Sequence, residues 1–250
     1  MVLQLSGVRK SFGGIPVIRG VDLAVREGEF VGVIGPNGAG KTTLFGLITG
    51  SLSVDAGSIV FEGRDIARAR AQDRCRMGIG RTFQVPQPFT SLTVYENVLV
   101  AAQHGAGLSA ARAAEAARAA LDRCGLAGLG DVSASRLMLL QRKRLELARA
   151  LATGPRLLLL DEVAGGLTDP EVVELLGLVR ALHAEGVTIL WIEHLVHALV
   201  SIAQRLVVLT DGAILADGPP QEVISSQIVR ETYLGPELEF ESQVPEVMHA

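Results

Sequence analysis

The chain has 250 residues, of which 48% are hydrophobic and 20% are charged, so it can bury the core of one α/β domain. That composition excludes an intrinsically disordered protein, because disorder requires low hydrophobicity. The net charge of −4 gives no basic excess that would attract phosphates, so we expect no nucleic-acid partner.

The first third of the chain predicts strands that alternate with glycine-rich turns and short helices. Strands are predicted, in order, for residues 2–8, 16–25, 29–35 and 57–63. The third of these strands is almost wholly apolar, which is typical of a central strand covered on both faces. Helices are predicted for residues 41–50 and 64–76.

Residues 87–153 predict a helical lobe inserted into the α/β domain. The alanine-rich segment 109–126 combines helical spacing with high helix propensity. Residues 142–153 predict a second strong helix in the same lobe.

Strand patterns return after the lobe. Buried strands are predicted for residues 157–162, 187–193 and 206–212, with a helix at 170–186. This alternation implies a parallel sheet. We expect one domain over residues 2–235 and an acidic, weakly patterned tail over 236–250. No apolar run approaches the ~20 residues of a membrane-spanning helix, and we expect no secretion signal.

The sequence GPNGAGKT fits the phosphate-loop pattern G-x-x-x-x-G-K-[ST]. A strand precedes it and a helix follows, as phosphate binding by backbone N–H groups and a helix N-terminus requires. We expect Lys41 to reach the β- and γ-phosphates of a nucleotide, Thr42 to ligate Mg²⁺ and Thr43 to contact the α-phosphate. The candidate nucleotide-binding residues are Gly35, Pro36, Asn37, Gly38, Ala39, Gly40, Lys41, Thr42 and Thr43.

A run of four leucines before Asp161 and Glu162 matches the other half of such a site. Asp161 ends a predicted strand, where ligands of open α/β sheets bind, so we expect it to hold Mg²⁺ directly or through water. Glu162 would orient and deprotonate the attacking water, although carboxylates at strand ends also serve as helix caps. His194 follows another predicted strand, from which its side chain can reach a γ-phosphate. His194 and His197 lack the further ligands of a metal site.

The order of these motifs resembles the ABC ATPase family and, within it, the ATP-binding subunits of branched-chain amino acid uptake systems. The resemblance covers about residues 2–235 and rests on LSGVRKSFGGIPVIRGVDLAV, GPNGAGKTTLF, IGRTFQVPQPFTSLTVYENVLVAA, RKRLELARALATGPRLLLLDE, WIEH and VLTDGAILADGPPQEVISSQIVRETYLG. It implies a P-loop NTPase fold with a mainly parallel sheet core, an N-terminal antiparallel β part and an inserted α-helical lobe. It also implies that the chain is an ATPase with ATP and Mg²⁺ as cofactors.

The resemblance assigns further roles by position. Phe12 would stack on adenine, with an ordinary core phenylalanine as the alternative. Gln84 would act at the catalytic centre by sensing Mg²⁺ or water, and the residues after it would receive a coupling helix of the permease. Thr168 would lie near a loop that contacts a second subunit. The family's Mg²⁺ ligand, catalytic glutamate and γ-phosphate histidine fall on Asp161, Glu162 and His194.

The family's signature, roughly L-S-G-G-Q, is altered in this chain. The aligned residues are Leu137, Met138, Leu139, Leu140 and Gln141. The serine hydroxyl is gone and both glycine positions carry leucine, which could crowd a partner subunit's nucleotide or forbid a positive φ. We expect a heterodimer with a second ABC ATPase subunit whose signature is intact. The alternatives are a homodimer in which the variant signature works, and core packing by the leucines.

The resemblance implies an importer subunit, cytoplasmic and peripheral on the inner face of the cell membrane. It would energise uptake of branched-chain amino acids or a related small polar solute. The partners would be two transmembrane permease subunits and, indirectly, an extracytoplasmic solute-binding protein. The alternatives are an exporter ATPase, a nucleotide-binding regulatory partner with slow turnover, and an ABC protein acting on nucleic acid, which the composition disfavours.

Overall fold

The computed structural model describes residues 1–234, whose strands form two sheets. A four-stranded antiparallel sheet has the order β2-β1-β4-β5. Its strands are β1 Leu3–Phe12, β2 Ile15–Val25, β4 Ala56–Phe61 and β5 Arg64–Asp65. The longest pairing runs from Leu3 opposite Val25 to Phe12 opposite Ile15. Apolar side chains on one face of this sheet are buried, while the polar residues between them face outward.

The second sheet has six strands in the order β10-β9-β3-β8-β7-β6. Its strands are β3 Phe30–Ile34, β6 Ile79–Arg81, β7 Leu157–Asp161, β8 Thr188–Ile192, β9 Arg205–Thr210 and β10 Ala213–Gly218. All pairings are parallel except that of β9 with β10. Every residue of β3, β7 and β8 is buried, as continuous apolar runs require. The predicted mainly parallel sheet with an added antiparallel part is confirmed.

Helices cover both faces of the parallel sheet. They are α1 Lys41–Thr49, α2 Ala71–Arg76, α3 Val94–Val100, α4 Ala110–Arg123, α5 Leu139–Leu151, α6 Asp169–Ala184, α7 Val196–Val200, α8 Pro220–Ser225 and α9 Gln227–Val229. Two π-helical turns, Ala101–Gly105 and Arg230–Leu234, extend α3 and α9. Among residues 1–234, no helix has the length and apolar character that crossing a bilayer requires.

Two hydrophobic cores lie on opposite faces of the parallel sheet. One lies between the sheet, α1 and the antiparallel strands, and it includes Phe45 and Leu159. The other joins the sheet to α3, α4, α5 and α6. In that second core the Phe30 and Trp191 rings stack with centroids 6.1 Å apart.

Helices α3, α4 and α5 all lie between β6 and β7 along the chain and pack on one another. A stripe of fully or nearly fully buried alanines, Ala113, Ala117 and Ala120, marks the inner face of α4. The spacing of three and four residues places them on one side of the helix. The division into a domain over 2–235 and a tail over 236–250 stays a prediction, and residues 235–250 lie outside the described part of the chain.

The single helix predicted for residues 64–76 is wrong in its first half. Arg64 and Asp65 instead form β5, opposite Phe61 and Val60. Asp65 Oδ1 then accepts a hydrogen bond from the Ala67 N–H at 2.8 Å. Such a local side-chain bond competes with helical backbone bonding, and the helix begins only at Ala71.

Candidate active site

The glycine-rich loop between β3 and α1 has the backbone that its sequence predicts. Gly38 and Gly40 have φ values of 83° and 99°, in the left-handed region that favours glycine. A Cβ atom on Gly40 would lie 3.0 Å from the Val17 carbonyl oxygen and 2.8 Å from Ile18 Cδ1. Alanine at this position would therefore be strained and would also displace β2.

Lys41 opens α1 with its side chain buried inside the loop. Its Nζ donates to the Gly35 and Pro36 carbonyl oxygens at 2.7 and 3.0 Å. Burial lowers the Lys41 pKa, whereas the charges of Glu162 and Asp161 raise it. The ammonium and the N-terminus of α1 together give this loop the positive potential that a phosphate needs.

An open cavity of about 340 Å³ lies over the loop. Its lining consists of Val17, Asn37, Gly38, Ala39, Gly40, Lys41, Thr42, Thr43 and Glu162. The structure therefore brings most of the predicted nucleotide-binding residues together with the predicted catalytic glutamate. These nine residues come from β2, the loop with α1, and the end of β7.

Asp161 ends β7 as a buried carboxylate paired with an arginine that the sequence analysis did not identify. Arg81 Nη2 lies 2.7 Å from Asp161 Oδ2, and the two side chains are 11% and 4% exposed. Burial raises the Asp161 pKa, and the hydrogen bond from Arg81 lowers it. Arg81 also lies 5.0 Å and 5.8 Å from the ring centroids of Phe83 and Phe45.

The oxygen donors at this end of the sheet fit a magnesium ion. Mg²⁺ prefers hard oxygen ligands, and Asp161, Thr42 and Gln84 offer a carboxylate, a hydroxyl and an amide oxygen. Asp161 Oδ2 already accepts a hydrogen bond from Arg81, so a cation balances its charge in this structure. The same pairing means that Mg²⁺ would compete with, or share, the Arg81 contact.

Glu162 is contacted by both other predicted catalytic residues. Its Oε2 accepts from Gln84 Nε2 at 2.5 Å, and its Oε1 lies 2.7 Å from His194 Nε2. The three residues follow β6, β7 and β8, which are neighbours in the sheet. Glu162 has a φ of 47°, a left-handed value that is uncommon for a residue with a side chain.

Two buried charged residues behind Glu162 were also missed by the sequence analysis. Lys143 of α5 is 3% exposed, and Glu193, the residue before His194, is 2% exposed. Burial and the charge of Glu162 raise the pKa of Glu193 to about 8. Position 143 precedes Leu147 by one helical turn and so shares its buried face, a signal that could have identified Lys143.

Phe12 lies at the end of β1 with 43% of its surface exposed. Lys10 Nζ is 5.4 Å from the centroid of its ring. The alternative interpretation of Phe12 as a core residue is therefore wrong, and stacking on adenine stays a prediction.

Residues 137–141 lead into α5, and two of the five, Met138 and Leu139, are exposed, while Leu140 packs partly against the core. Leu137 is buried, but Met138 and Leu139 are 71% and 41% exposed, so core packing holds only for part of the segment. Leu137 and Met138 both have a φ of −72°, so the structure needs no positive φ at these two positions. Gln141 Oε1 accepts from the Met138 N–H at 3.0 Å and caps the helix. At the start of α6 the Glu171 carboxylate acts in a similar way, because its Oε2 accepts from the N–H and the hydroxyl of Thr168, each at 2.8 Å.

The segment after β6 exposes large apolar side chains on a firmly held backbone. Phe83, Val85 and Phe89 are 53%, 66% and 47% exposed. The fully buried Asn97 of α3 accepts from the Phe89 N–H at 2.8 Å and donates to its carbonyl at 3.0 Å. Arg149 of α5 donates to the Gln87 carbonyl at 3.0 Å. The helical lobe thus fixes the shape of this apolar surface.

A glycine loop opening a helix, a buried lysine and a second parallel strand that leads into Asp161 and Glu162 define a P-loop nucleoside triphosphatase. The family model described as ABC transporter matches residues 18–165, and the chain belongs to that family. It is an ATP-binding, ATP-hydrolysing member, as the sequence resemblance implies.

Relatives of two kinds cover nearly the whole chain. The lipopolysaccharide export system ATP-binding protein LptB of Acidithiobacillus ferridurans is 37% identical, over 96% of this chain and 99% of its own length. The high-affinity branched-chain amino acid transport ATP-binding protein BraF of Pseudomonas aeruginosa is 39% identical, over 94% and 98%. The ADP conformation of an ATP-binding cassette of an ABC transporter superposes with a TM-score of 0.85, at 33% identity, over 94% and 98%.

Proposed function

We propose that this chain energises an ABC importer that takes up branched-chain amino acids or a related small polar solute. It would act from the inner, cytoplasmic face of the cell membrane through two separate permease subunits, with an extracytoplasmic solute-binding protein as an indirect partner. The observation that carries ATP hydrolysis is the contact of Glu162 with Gln84 and His194 beside the phosphate loop.

Import is supported by BraF, the relative named for branched-chain amino acid transport. The LptB relatives favour a second candidate, an exporter ATPase of the same design. The apolar side chains of Phe83, Val85 and Phe89 support docking on a membrane protein in either case.

The side chains of the site suggest how the chemistry divides among them. Lys41 and the loop N–H groups bind the terminal phosphates, while Thr42, Asp161 and Gln84 hold Mg²⁺, which neutralises phosphate charge when bound. Glu162 accepts the proton of the attacking water. Each Glu162 oxygen makes one contact in this structure, with Gln84 or with His194, and a carboxylate oxygen can accept a second hydrogen bond, which leaves room for that water.

We further propose that residues 137–141 face the nucleotide of a second ABC ATPase subunit. The exposure of Met138 and Leu139 at the N-terminus of α5 supports a surface that meets another molecule. Without a serine hydroxyl, this surface offers the γ-phosphate only backbone groups and the helix dipole. A heterodimer with one fully equipped composite site is the expected assembly, a homodimer is the alternative, and slow turnover would indicate a regulatory partner.

The first experiment measures ATP hydrolysis by the purified chain over a range of protein concentrations. Glu162→Gln serves as the inactive variant, and Glu174→Gln, an exposed carboxylate on α6, serves as the matched control. A rate per chain that rises with concentration, and that only Glu162→Gln abolishes, would establish a working homodimer and contradict the heterodimer. ATP binding without turnover at any concentration would support the need for a partner. Turnover that survives Glu162→Gln would contradict the proposed catalytic centre.

The transported solute needs a reconstituted system. The chain would be combined in liposomes with branched-chain amino acid permease subunits from the same genome and a loaded solute-binding protein. ATP-dependent accumulation of leucine that Glu162→Gln prevents supports import. Failure to assemble with these permeases, combined with assembly on lipopolysaccharide export subunits, would favour the exporter.

A further inference from the structure

Lys143 is a buried cation near the start of α5, the helix that begins at Leu139. Its side chain is enclosed between α5 and the carboxyl ends of the parallel strands, and the residue is 3% exposed. Its Nζ donates to the Gln84 carbonyl oxygen at 2.8 Å and lies 3.4 Å from the Glu162 carbonyl oxygen. The ammonium therefore links α5 to the backbones of Gln84 and Glu162, two residues of the proposed catalytic centre.

An ammonium in such a place needs compensation, because leaving water is costly for an unpaired charge. The two carbonyls supply part of it; burial lowers the Lys143 pKa, and the charges of Glu162 and Glu146 oppose that shift. Glu193 also has a carboxylate oxygen, Oε2, without a hydrogen-bond partner among residues 1–234. Lys143 is thus the positive centre of a buried group of carboxylates behind the catalytic centre.

The contact with the Glu162 carbonyl lies where the backbone is strained. Glu162 has a φ of 47°, and such a conformation persists only when its surroundings hold it. The Glu162 N–H donates to the Ile192 carbonyl at 2.9 Å, which fixes one side of the residue. On the other side, the Glu162 carbonyl oxygen accepts from Lys143 Nζ and also from the Gly165 N–H, which lies 3.3 Å away. The side-chain direction of Glu162 follows from this backbone.

We propose that Lys143 is a positioning residue for ATP hydrolysis, which holds the backbones of Glu162 and Gln84 so that both side chains meet at the attacking water. The inference rests on the proposed catalytic role of Glu162. A displacement of Glu162 by about 1 Å would reduce turnover up to 100-fold without touching the phosphate loop. ATP affinity would therefore be preserved while kcat falls.

The test compares Lys143→Met, Lys143→Arg and Arg74→Met in the full-length chain. Met removes the charge at similar length, whereas Arg keeps donors for both carbonyls. Arg74 is a control of the same chemistry, since it is 1% exposed and donates to the Leu47 and Ile48 carbonyls at the far end of α1. Measurements are kcat and KM for ATP, the thermal midpoint, and amide hydrogen exchange of peptides spanning 82–87 and 160–166.

We expect Lys143→Met to lower kcat by about 10- to 100-fold with KM for ATP nearly unchanged. Lys143→Arg should recover most of this loss, and Arg74→Met should lose thermal stability but keep kcat. The two peptides should exchange faster in Lys143→Met alone. Unchanged kcat and exchange in Lys143→Met, or equal losses in Lys143→Met and Arg74→Met, would overturn the inference. If the wild-type chain alone does not turn over, as the expected heterodimer implies, hydrogen exchange of the two peptides decides the role of Lys143, and equal exchange in wild type and Lys143→Met overturns it.

Discussion

The phosphate loop and residues 137–141 both lead into a helix N-terminus, but they depend on glycine to different degrees. In the phosphate loop Gly38 and Gly40 have positive φ values, and a side chain on Gly40 would meet β2. In residues 137–141 the backbone is extended at Leu137 and Met138 and helical from Leu139. Leucine therefore strains the first kind of turn and is tolerated in the second.

The leucines in residues 137–141 are compatible with the fold, even where the family signature has glycine. Replacing the signature glycines leaves α5 intact, because the helix is capped by Gln141 and buried along its inner face. Of the altered residues, Met138 and Leu139 lie on the surface, while Leu140 packs partly against the core. We therefore expect the exposed residues of this departure, Met138 and Leu139, to act mainly on binding, with an effect on folding no larger than that of a helix cap.

The largest effect on stability is expected from Arg81→Met. This change leaves the buried Asp161 carboxylate, near the phosphate loop, without its ion-pair partner. Breaking a buried pair in this way costs about 3–5 kcal/mol of unfolding free energy. Urea unfolding measures the loss, and saturating Mg·ATP should reduce it, because a bound cation replaces the missing charge. Arg156→Met removes an exposed pairing with Glu27 and Glu62 and should cost no more than about 1 kcal/mol. Equal losses in the two variants would show that Asp161 does not need a cation.

Gly40→Ala is the next largest change and tests the phosphate loop directly. Strain of about 1–3 kcal/mol at a left-handed position, together with the contact to Val17, should weaken ATP binding about 10- to 100-fold. Calorimetric titration with ATP measures the change. Gly63→Ala is the matched control, since Gly63 has a φ of 75° and open space around its Cβ position, far from the loop in sequence. An ATP affinity that falls equally in both variants would trace the effect to general destabilisation.

The buried side chain of Glu193 should make the free energy of unfolding depend on pH. Burial raises the Glu193 pKa from 4.5 to about 8, so the folded chain retains a proton that the unfolded chain has released. Stability contributed by this group is therefore complete below pH 4.5 and falls as pH rises toward 8, by about 1.4 kcal/mol per pH unit. Glu193→Gln should remove this slope, while the charges of Lys143 and Glu162 remain. Urea unfolding at several pH values measures it, with the exposed Glu222→Gln as control. A wild-type slope that survives Glu193→Gln would contradict the assignment.

The smallest effect on stability is expected from Met138→Ser, within residues 137–141. Met138 is the N-cap of α5 and has no side-chain capping bond, while Gln141 already supplies the reciprocal half of a capping box. A serine hydroxyl should add about 0.5–1 kcal/mol of stability. Thermal unfolding measures the gain, and Leu139→Ser places the same hydroxyl one position inside the helix. Equal gains from both variants would exclude capping as the cause.

The sequence predicts the phosphate loop and the strands well because each depends on local patterns. Four consecutive leucines in a short run favour a buried strand, and the glycines of residues 35–40 favour a tight turn. The helix predicted for 64–76 was half wrong because Arg64 and Asp65 pair with β4, a contact that helix propensity does not include.

Arg81, Lys143 and Glu193 were missed for a different reason. Charged residues are usually solvated, and only the assembled fold places these three under the carboxyl ends of β6, β7 and β8. Within Arg142-Lys143-Arg144, nothing in residue type distinguishes the inward-facing cation from its neighbours. Only its helical register relative to Leu147 carries that information.

Trp191 is the only tryptophan of the chain and is fully buried in β8 against Phe30. It shares its strand with the residues that lead directly to Glu193 and His194. An indole ring shielded from water fluoresces at short wavelength, and a shift at the end of β8 alters its emission. The chain thus contains its own optical reporter, so stopped-flow fluorescence can follow nucleotide binding and local rearrangement in any of these variants without an added dye.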